Sequence, residues 1–263
     1  MKTRLTLRTL ALGYLGFLII LPVASIFWFT FSDGLGTFWS SVTEPDAVSA
    51  FYLTLIAAGV AVAANTVFGV LCAIVLVRHR FPGKRILGAL TDLPLAVSPV
   101  IIGLALILVY GSGGWFGGWL AERGILIIFS IPGIILATIF ASLPFVVREV
   151  APVLREVGIE QEQASSTLGA SPWQTFWLIT LPSIRHGLTY GVVLTTARAL
   201  GEFGAVAVVS GRIIGRTETL TLHVEDRFLA FDLTGAYAAS VVLALLALGT
   251  LFAMNFFNRE EKA

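Results

Sequence analysis

The chain has 263 residues, of which 57% are hydrophobic and only 13% charged, and its mean hydropathy is +0.90. A soluble domain has no interior large enough to hide that much apolar surface, so lipid is the expected solvent for most of it. The formal net charge of +1 excludes a strongly basic nucleic-acid binder.

Lys2, Arg4 and Arg8 precede the first apolar run, Leu10–Phe31. This run meets the requirement of about 20 residues for a bilayer-crossing helix. A signal peptide would have a shorter apolar core and a small-residue cleavage site. The expectation is a retained transmembrane helix, with cleavage as the alternative, lying at the periphery (about 7–31) of a core bundle (about 47–258). The second run is Ala47–Val77. The third, Leu93–Ala121, is longer than one helix needs, and Gly111-Ser112-Gly113-Gly114 and Gly117-Gly118 predict that its helix ends near Tyr110. Pro94 and Ser98-Pro99 should distort the start of that helix, because proline removes backbone hydrogen bonds. Such a distortion is either a gate, with Ser98 and Pro99 on the path, or an ordinary kink.

Gly124–Val147 is the fourth run, Gly187–Ala197 continuing through Gly211 the fifth, and Leu233–Asn258 the sixth. Nothing alternates as a barrel strand would. The predicted fold class is all-α: a polytopic membrane protein of six transmembrane helices in one domain, residues 1–263. The single cysteine, Cys72, forms no internal disulfide, and His79, His186 and His223 lack metal-ligand spacing.

Lysine and arginine set the orientation. The N-terminal tail, Arg78, Arg80, Lys84 and Arg85 in the second connection, Arg148, Arg155 and Arg185 in the fourth, and Arg259 and Lys262 in the C-terminal tail all fall on one side. The first connection has Asp33, Glu44 and Asp46 without a cation, and the third has only Arg123. In the fifth, Arg212, Arg216 and Arg227 are offset by Glu218, Glu225, Asp226 and Asp232. Both termini are therefore expected in the cytoplasm.

The fourth connection has helix grammar over about 157–182. Val157–Leu168 is predicted as a short helix stopped by Gly169, the residue suited to a left-handed C′ position. Ser171 is the predicted N-cap, Pro172 the first helical residue, and Gln174 completes a capping box. The next helix carries Trp173, Phe176, Trp177 and Ile179 and closes near Leu181-Pro182. The result is a rigid corner with an apolar lip. It suits insertion into a groove on a cytosolic partner, or an elbow folded back on the headgroups with its aromatics as interfacial anchors.

Gly169, nine intervening residues and then Ile179-x-Leu181-Pro182 resemble the coupling motif of permease subunits in bacterial ABC importers. That motif runs Glu-Ala-Ala, three residues, Gly, nine residues, Ile-x-Leu-Pro. Here Gln163-Ala164-Ser165 stands where Glu-Ala-Ala is usual. Glu162, one residue earlier, would point about 100° around the helix. The segments Asp92–Val100, Ala197–Ala205 and Val209–Thr217 resemble the sulfate/thiosulfate branch of these permeases. The Gly201-Glu202-Phe203-Gly204 core is shared with molybdate permeases, and the stretch after it is closer to the W-type subunit.

The resemblance implies a type I importer-like permease fold, and contact with the ATPase through Gln163, Ala164, Ser165, Gly169, Ala170, Ser171 and Pro172. It also implies a second, different permease, two copies of an ATP-binding subunit and a periplasmic sulfate-binding protein, in a bacterial inner membrane. No cofactor is expected on this chain; ATP and Mg belong to the partner ATPase, since no Gly-x-x-x-x-Gly-Lys-Ser/Thr loop occurs here.

Arg198 and Glu202 read as the ionisable residues well inside a span, Arg198 near the middle of the fifth helix. Four apart, they share a helix face and can pair. Such residues face the bundle interior or a water-filled path. They either neutralise each other and fix packing at Gly201 and Gly204, or give Arg198 to a passing anion. Arg212 and Arg216 lie just outside that helix, to meet the binding protein, the anion or only solvent. The expected function is ATP-driven import of sulfate or thiosulfate by alternating access. Molybdate or tungstate is the alternative cargo, and an ion-coupled secondary transporter the alternative class, although one distorted span and no repeat fit that class poorly.

Overall fold

In so apolar a chain, helix satisfies the backbone N–H and C=O groups locally, without help from solvent. The computed structural model describes residues 2–259, and every regular element among them is a helix. The C-terminal cation Lys262 lies outside the described residues.

In chain order, α1 (Lys2–Leu15) passes through a π turn (Gly16–Ile20) into α2 (Leu21–Ser32), and the short α3 (Leu35–Val42) follows. Next come α4 (Pro45–Arg78), α5 (Lys84–Ala96), α6 (Pro99–Tyr110), α7 (Gly117–Glu122) and α8 (Ile131–Val157). The elbow comprises α9 (Glu160–Thr167), α10 (Pro172–Thr175), a second π turn (Phe176–Thr180) and α11 (Leu181–Ser183). The chain ends with α12 (Arg185–Leu200), α13 (Gly204–Val209), α14 (Leu220–Leu229) and α15 (Leu233–Arg259).

Among the described residues, four stretches are long and apolar enough to cross a membrane: Thr6–Ser32, Pro45–Arg78, Ile131–Val157 and Leu233–Thr250. A fifth is formed by α5 and α6 if the two are taken as one span bent by 117°. The remaining expected span is divided between α12 and α13, and neither passes that test by itself.

Several expected boundaries move. The third run begins earlier, at Lys84, and is two helices rather than one distorted helix. Pro99 drives Ser98 out of the helical region, to φ −59° and ψ 135°, and Val97 is extended as well. The glycine-rich stretch stops α6 at Tyr110, as expected. The fourth helix starts at Ile131 instead of Gly124, and it runs on to Val157, so Arg148 and Arg155 lie within a helix and not in a connection. The fifth run breaks at Gly201–Phe203.

The core forms where small residues let helices approach. Ala50, Ala57, Ala61, Asn65, Gly69 and Ala73 line the buried face of α4, and its main neighbour is α8. Asn65 is fully buried there; its amide nitrogen donates to the Ile139 carbonyl (3.0 Å) and to Ser142 Oγ (2.9 Å). A polar clasp of this kind holds helices together where apolar side chains have no preference for each other over lipid. Leu53, Ile102, Ile134, Val206, Val209 and Leu222 form one buried cluster, and Val70, Val146, Val150, Leu154 and Ile184 form another beside the elbow. The most apolar window of Thr6–Ser32 has no buried residues, and α2 rests on α15 and α3.

Helix α13 lies so close to α6 that a Cβ at Gly103 would sit 2.7 Å from Val208 Cβ and 2.9 Å from the Ala205 carbonyl oxygen. Gly103→Ala should therefore destabilise the bundle by about 1–3 kcal/mol through overpacking. Gly59→Ala, where nothing lies within 4 Å, should be neutral or slightly stabilising. Thermal unfolding of the two variants in the same detergent checks the difference.

Candidate functional site: the elbow and two meeting helix breaks

Gly158, at φ 73°, ends α8 and turns the chain into the elbow, so its first helix starts at Glu160 and not at Val157. That helix closes on Gly169 at φ 85°. The Ala170 N–H donates to the Ser165 carbonyl and the Gly169 N–H to the Ser166 carbonyl, both at 3.1 Å, which is the Schellman pattern. The next helix opens with the expected capping box: Ser171 Oγ accepts from the Gln174 N–H (3.3 Å) and Gln174 Oε1 from the Ser171 N–H (2.8 Å).

The helix then closes at Ser183, within one residue of the expected Leu181-Pro182. The π turn over Phe176–Thr180, in which the Leu181 N–H reaches the Phe176 carbonyl, absorbs the N–H that Pro182 lacks, and the chain continues through Ile184 into α12.

The elbow is tied to the bundle by Glu162. Arg78, the last residue of α4, faces it with Nε 3.0 Å from Oε2 and donates from Nη2 to Oε1 at 3.2 Å. The same guanidinium donates to the carbonyls of Leu154 (2.8 Å) and Gly158 (2.5 Å), and Thr180 Oγ1 donates to Glu162 Oε1 (3.0 Å). Arg78 thus collects the open carbonyls at the end of α8 and the carboxylate of α9 in one planar fork. Glu162 does point away from the face carrying Gln163, as the helix geometry predicts, and its partner there is what the sequence does not disclose.

Ser165 also faces inward. It is buried, and its Oγ lies 2.9 Å from Thr175 Oγ1, bracing α9 against α10. Gln163, Ala164, Gly169, Ser171 and Pro172 are exposed and Ala170 is partly so. Around them Leu168 (88%), Leu178 (74%) and Trp173 (69%) form the apolar lip.

A second constellation forms where the two broken spans meet. A Cβ on Gly204 would lie 2.9 Å from Pro99 Cβ, so the α12–α13 break sits against the α5–α6 break. Arg198 is in the last turn of α12 rather than at a helix middle, because the helix ends at Leu200. Its Nη1 still lies 2.6 Å from Glu202 Oε2, although Glu202 is beyond the helix end. Glu202 Oε1 accepts from the Ala205 N–H (3.1 Å), which anchors the first turn of α13, and its carbonyl accepts from Thr221 Oγ1 (2.8 Å).

Glu202 is almost fully buried, while Arg198 is 31% exposed. The pair therefore does structural work through the glutamate and still presents cationic surface through the arginine. Ser98 is exposed and Pro99 half-buried.

The segment after α13 returns into this region. The Leu220 N–H donates to Thr54 Oγ1 of α4 (2.8 Å), and Glu218 Oε1 lies 3.1 Å from His223 Nδ1 with both side chains buried. Arg212, at φ 52°, is held by Glu225 (2.7 Å) and Asp226 (3.2 Å), so its charge is largely spent within the fold. Burial pushes the Asp226 carboxyl above its ordinary value, an effect that Arg212 opposes. Arg216 is exposed and has no ion-pair partner among the described residues.

Sequence reading missed Asn65, Arg78, Glu218 with His223, and the pair Arg148 Nε–Asp92 Oδ1 at 2.8 Å. Asn65 carried a signal, being an amide in an otherwise apolar run. Arg78 and Arg148 carried none, because their partners lie 84 and 56 positions away; Glu218 and His223 are five apart, and it is their shared burial that the sequence does not show.

Residues 65–262 match the family described as "binding-protein-dependent transport system inner membrane component". The chain is 50% identical to the "sulfate transport system permease protein CysW" of Synechocystis sp. over 250 residues, covering 95% of this chain and 91% of that one. It is 46% identical to the Escherichia coli K12 protein of the same name (94% and 87% covered), and 39% to the "sulfate transport system permease protein CysT" of that strain (94% and 91%). Among solved structures, a bacterial ABC transporter involved in import of the acidic polysaccharide alginate superposes with a TM-score of 0.80 at 16% identity, covering 98% of this chain and 96% of that one. The MetNI methionine ABC transporter, in an inward-facing conformation, gives 0.62 at 21% identity, with 81% and 94% covered.

The fold is that of a type I ABC-importer membrane subunit with several spans, and the family match makes the chain a permease subunit. The chain belongs to the binding-protein-dependent transport system inner membrane component family, in its sulfate permease branch.

Arg78→Ala leaves Glu162 without its partner and two carbonyls without their donor. Loss of one member of a buried ion pair costs about 3–5 kcal/mol. The expected result is a lower unfolding temperature and faster proteolysis at 158–172, measured against wild type in the same detergent.

Proposed function

We infer that the chain is the membrane-spanning half of a sulfate or thiosulfate importer whose energy comes from a separate ATPase. The relatives' names point to sulfate as the cargo. The observation that carries the coupling reading is the elbow: two capped helices at a fixed corner, keyed to α4 and α8 by Arg78 and Glu162 and exposing Gln163, Ala164, Gly169, Ser171 and Pro172. A rigid knuckle of this kind transmits a partner's displacement to the bundle without absorbing it. Energy input is required because each charge entering against 100 mV costs about 2.3 kcal/mol, or roughly 4–5 kcal/mol for a dianion before any concentration gradient.

In this reading the partners are a second, different permease, an ATPase homodimer carrying ATP and Mg, and a periplasmic binding protein. The bundle has six spans, with α12 and α13 forming a broken fifth span and the Thr6–Ser32 helix at the periphery of a single permease domain. The family description supports a bacterial inner membrane, and the charge distribution supports both termini in the cytoplasm. Arg78, Arg80, Lys84, Arg85, Arg148 and Arg155 gather at the elbow end, whereas Asp33, Glu44, Asp46 and Asp232 gather at the other, around Arg227 and Thr234. Arg198 lines the path beside Ser98 and Pro99 while Glu202 holds it in place. Arg216, rather than the neutralised Arg212, is the better contact for the binding protein.

A second broken span is a feature shared with ion-coupled carriers. Family membership and the elbow favour the ATP-driven class.

Gly169→Trp places a β-carbon at φ 85° and a bulky ring on the docking face. It should abolish ATP-dependent sulfate uptake by vesicles holding the full complex while the bundle stays folded. Unchanged uptake would refute the coupling role. In a Cys72→Ser background, cysteines at Trp115 and Leu168, exposed by 87% and 88%, should react with an impermeant maleimide from opposite faces of the membrane. Reaction from the same face overturns the orientation.

A further inference from the structure

The cavity between the elbow-side ends of α4, α5 and α8 has a composition that neither the elbow nor the helix breaks account for. It encloses about 410 Å³, and its rim carries Lys84, Arg148 and Arg155 against one carboxylate, Asp92. Three cations and one anion leave an excess of two positive charges. Arg148 engages Asp92 through Nε alone, so its two terminal nitrogens remain to donate. Arg155 has no ion-pair partner among the described residues, and the Lys84 ammonium reaches only the His79 carbonyl (3.1 Å).

The rest of the lining is apolar or small, with Leu76, Gly88, Val147 and Ala151, apart from Thr91, whose hydroxyl donates to the Gly88 carbonyl (2.8 Å). The cleft is open at Gly88, where a Cβ would meet nothing nearer than Leu76 at 4.0 Å. Arg148 and Arg155 are seven residues apart on α8. That places them on one face with about 10 Å between their levels, so that they bracket the cleft from above and below. Arg148 itself lies nine residues before the end of α8, about 13 Å in from Val157. An arginine at that depth faces an aqueous cleft or headgroups and not hydrocarbon.

We propose that this cleft is a binding site for a tetrahedral oxyanion group, held by Arg148, Arg155 and Lys84, with Asp92 fixing the orientation of Arg148. Two sources supply such a group at this end of the bundle: the phosphate of an anionic phospholipid in the adjoining leaflet, or free sulfate leaving the transport path. Basic pockets between membrane helices take lipid headgroups by the same chemistry, and each cation near the surface strengthens the attraction by about fivefold. That the cleft opens to the cytoplasm rests on the orientation inferred above. Anion binding at equilibrium does not, so this test and the cysteine-labelling test fail independently.

The test uses the full-length chain in lipid nanodiscs. Retained phosphatidylglycerol is counted by native mass spectrometry in mixed phosphatidylglycerol–phosphatidylcholine discs, and radiolabelled sulfate binding is measured in phosphatidylcholine discs. Arg155→Gln and, separately, Lys84→Gln should each weaken one of the two signals by about fivefold. Arg80→Gln, outside the cleft, should leave both unchanged. Loss of lipid retention identifies the headgroup as occupant, and loss of sulfate binding identifies the free anion. If neither signal responds to R155Q or K84Q, or if Arg80→Gln reduces them equally, the site does not exist. Arg155 is exposed and has no ion-pair partner among the described residues, so R155Q keeps the test clear of misfolding.

Discussion

In hydrocarbon, every backbone polar group has to find its partner inside the protein, and the rest of this structure is arranged around the two places where its helices break. At the first, Pro99 has no N–H to satisfy, and the Ser98 carbonyl accepts from the Ile102 N–H, so the 117° bend between α5 and α6 orphans few groups. At the second, Glu202 acts as a detachable piece of backbone. Its carboxylate takes the Ala205 N–H, and its own carbonyl takes the Thr221 hydroxyl. Neither break would survive alone in lipid. Each is covered by the other, because Gly103 and Gly204 remove the side-chain bulk that would hold α6 and α13 apart.

The ionised groups follow the same logic. A charge in such an interior is retained where it has a partner and a structural task. Glu162 fastens the elbow, Glu202 caps α13, and Glu218 lies beside His223 under the segment that returns toward Thr54. In the Arg198–Glu202 pair the carboxylate is the buried member and the guanidinium keeps exposed surface, whereas at the elbow Arg78 is the more buried of its pair. Beside the helix breaks this leaves positive potential on accessible surface, which is the sign an anion-conducting protein needs.

The elbow was legible almost residue by residue, because its determinants are local. Gly169, Ser171, Pro172 and Gln174 act on neighbours within four positions, and cap geometry is decided at that range. Its attachment was not legible. Arg78 and Glu162 are 84 positions apart, and nothing in the composition of either segment names the other. The apolar runs were legible as runs, and the glycines after Tyr110 marked the end of α6. The fifth run read as continuous because Gly201-Glu202-Phe203-Gly204 has no proline. Only the capture of Glu202 by α13 and α14 turns those residues into a break. Ser165 shows the same limit from the other side: its place in the coupling motif suggests a surface contact, yet the packing of α9 on α10 turns it inward.

By itself, the sequence determined that the chain is helical and lipid-embedded, where its apolar runs lie, how its charges segregate and how its elbow is capped. All of these are properties of single residues or of neighbours within one or two helical turns. The tertiary structure alone decided which helices break, which carboxylate holds which guanidinium, and that Arg148, Arg155 and Lys84 share a cleft. These depend on contacts between segments dozens of residues apart. In so apolar a chain many pairings would satisfy the same hydropathy pattern, and close packing of small residues selects one of them.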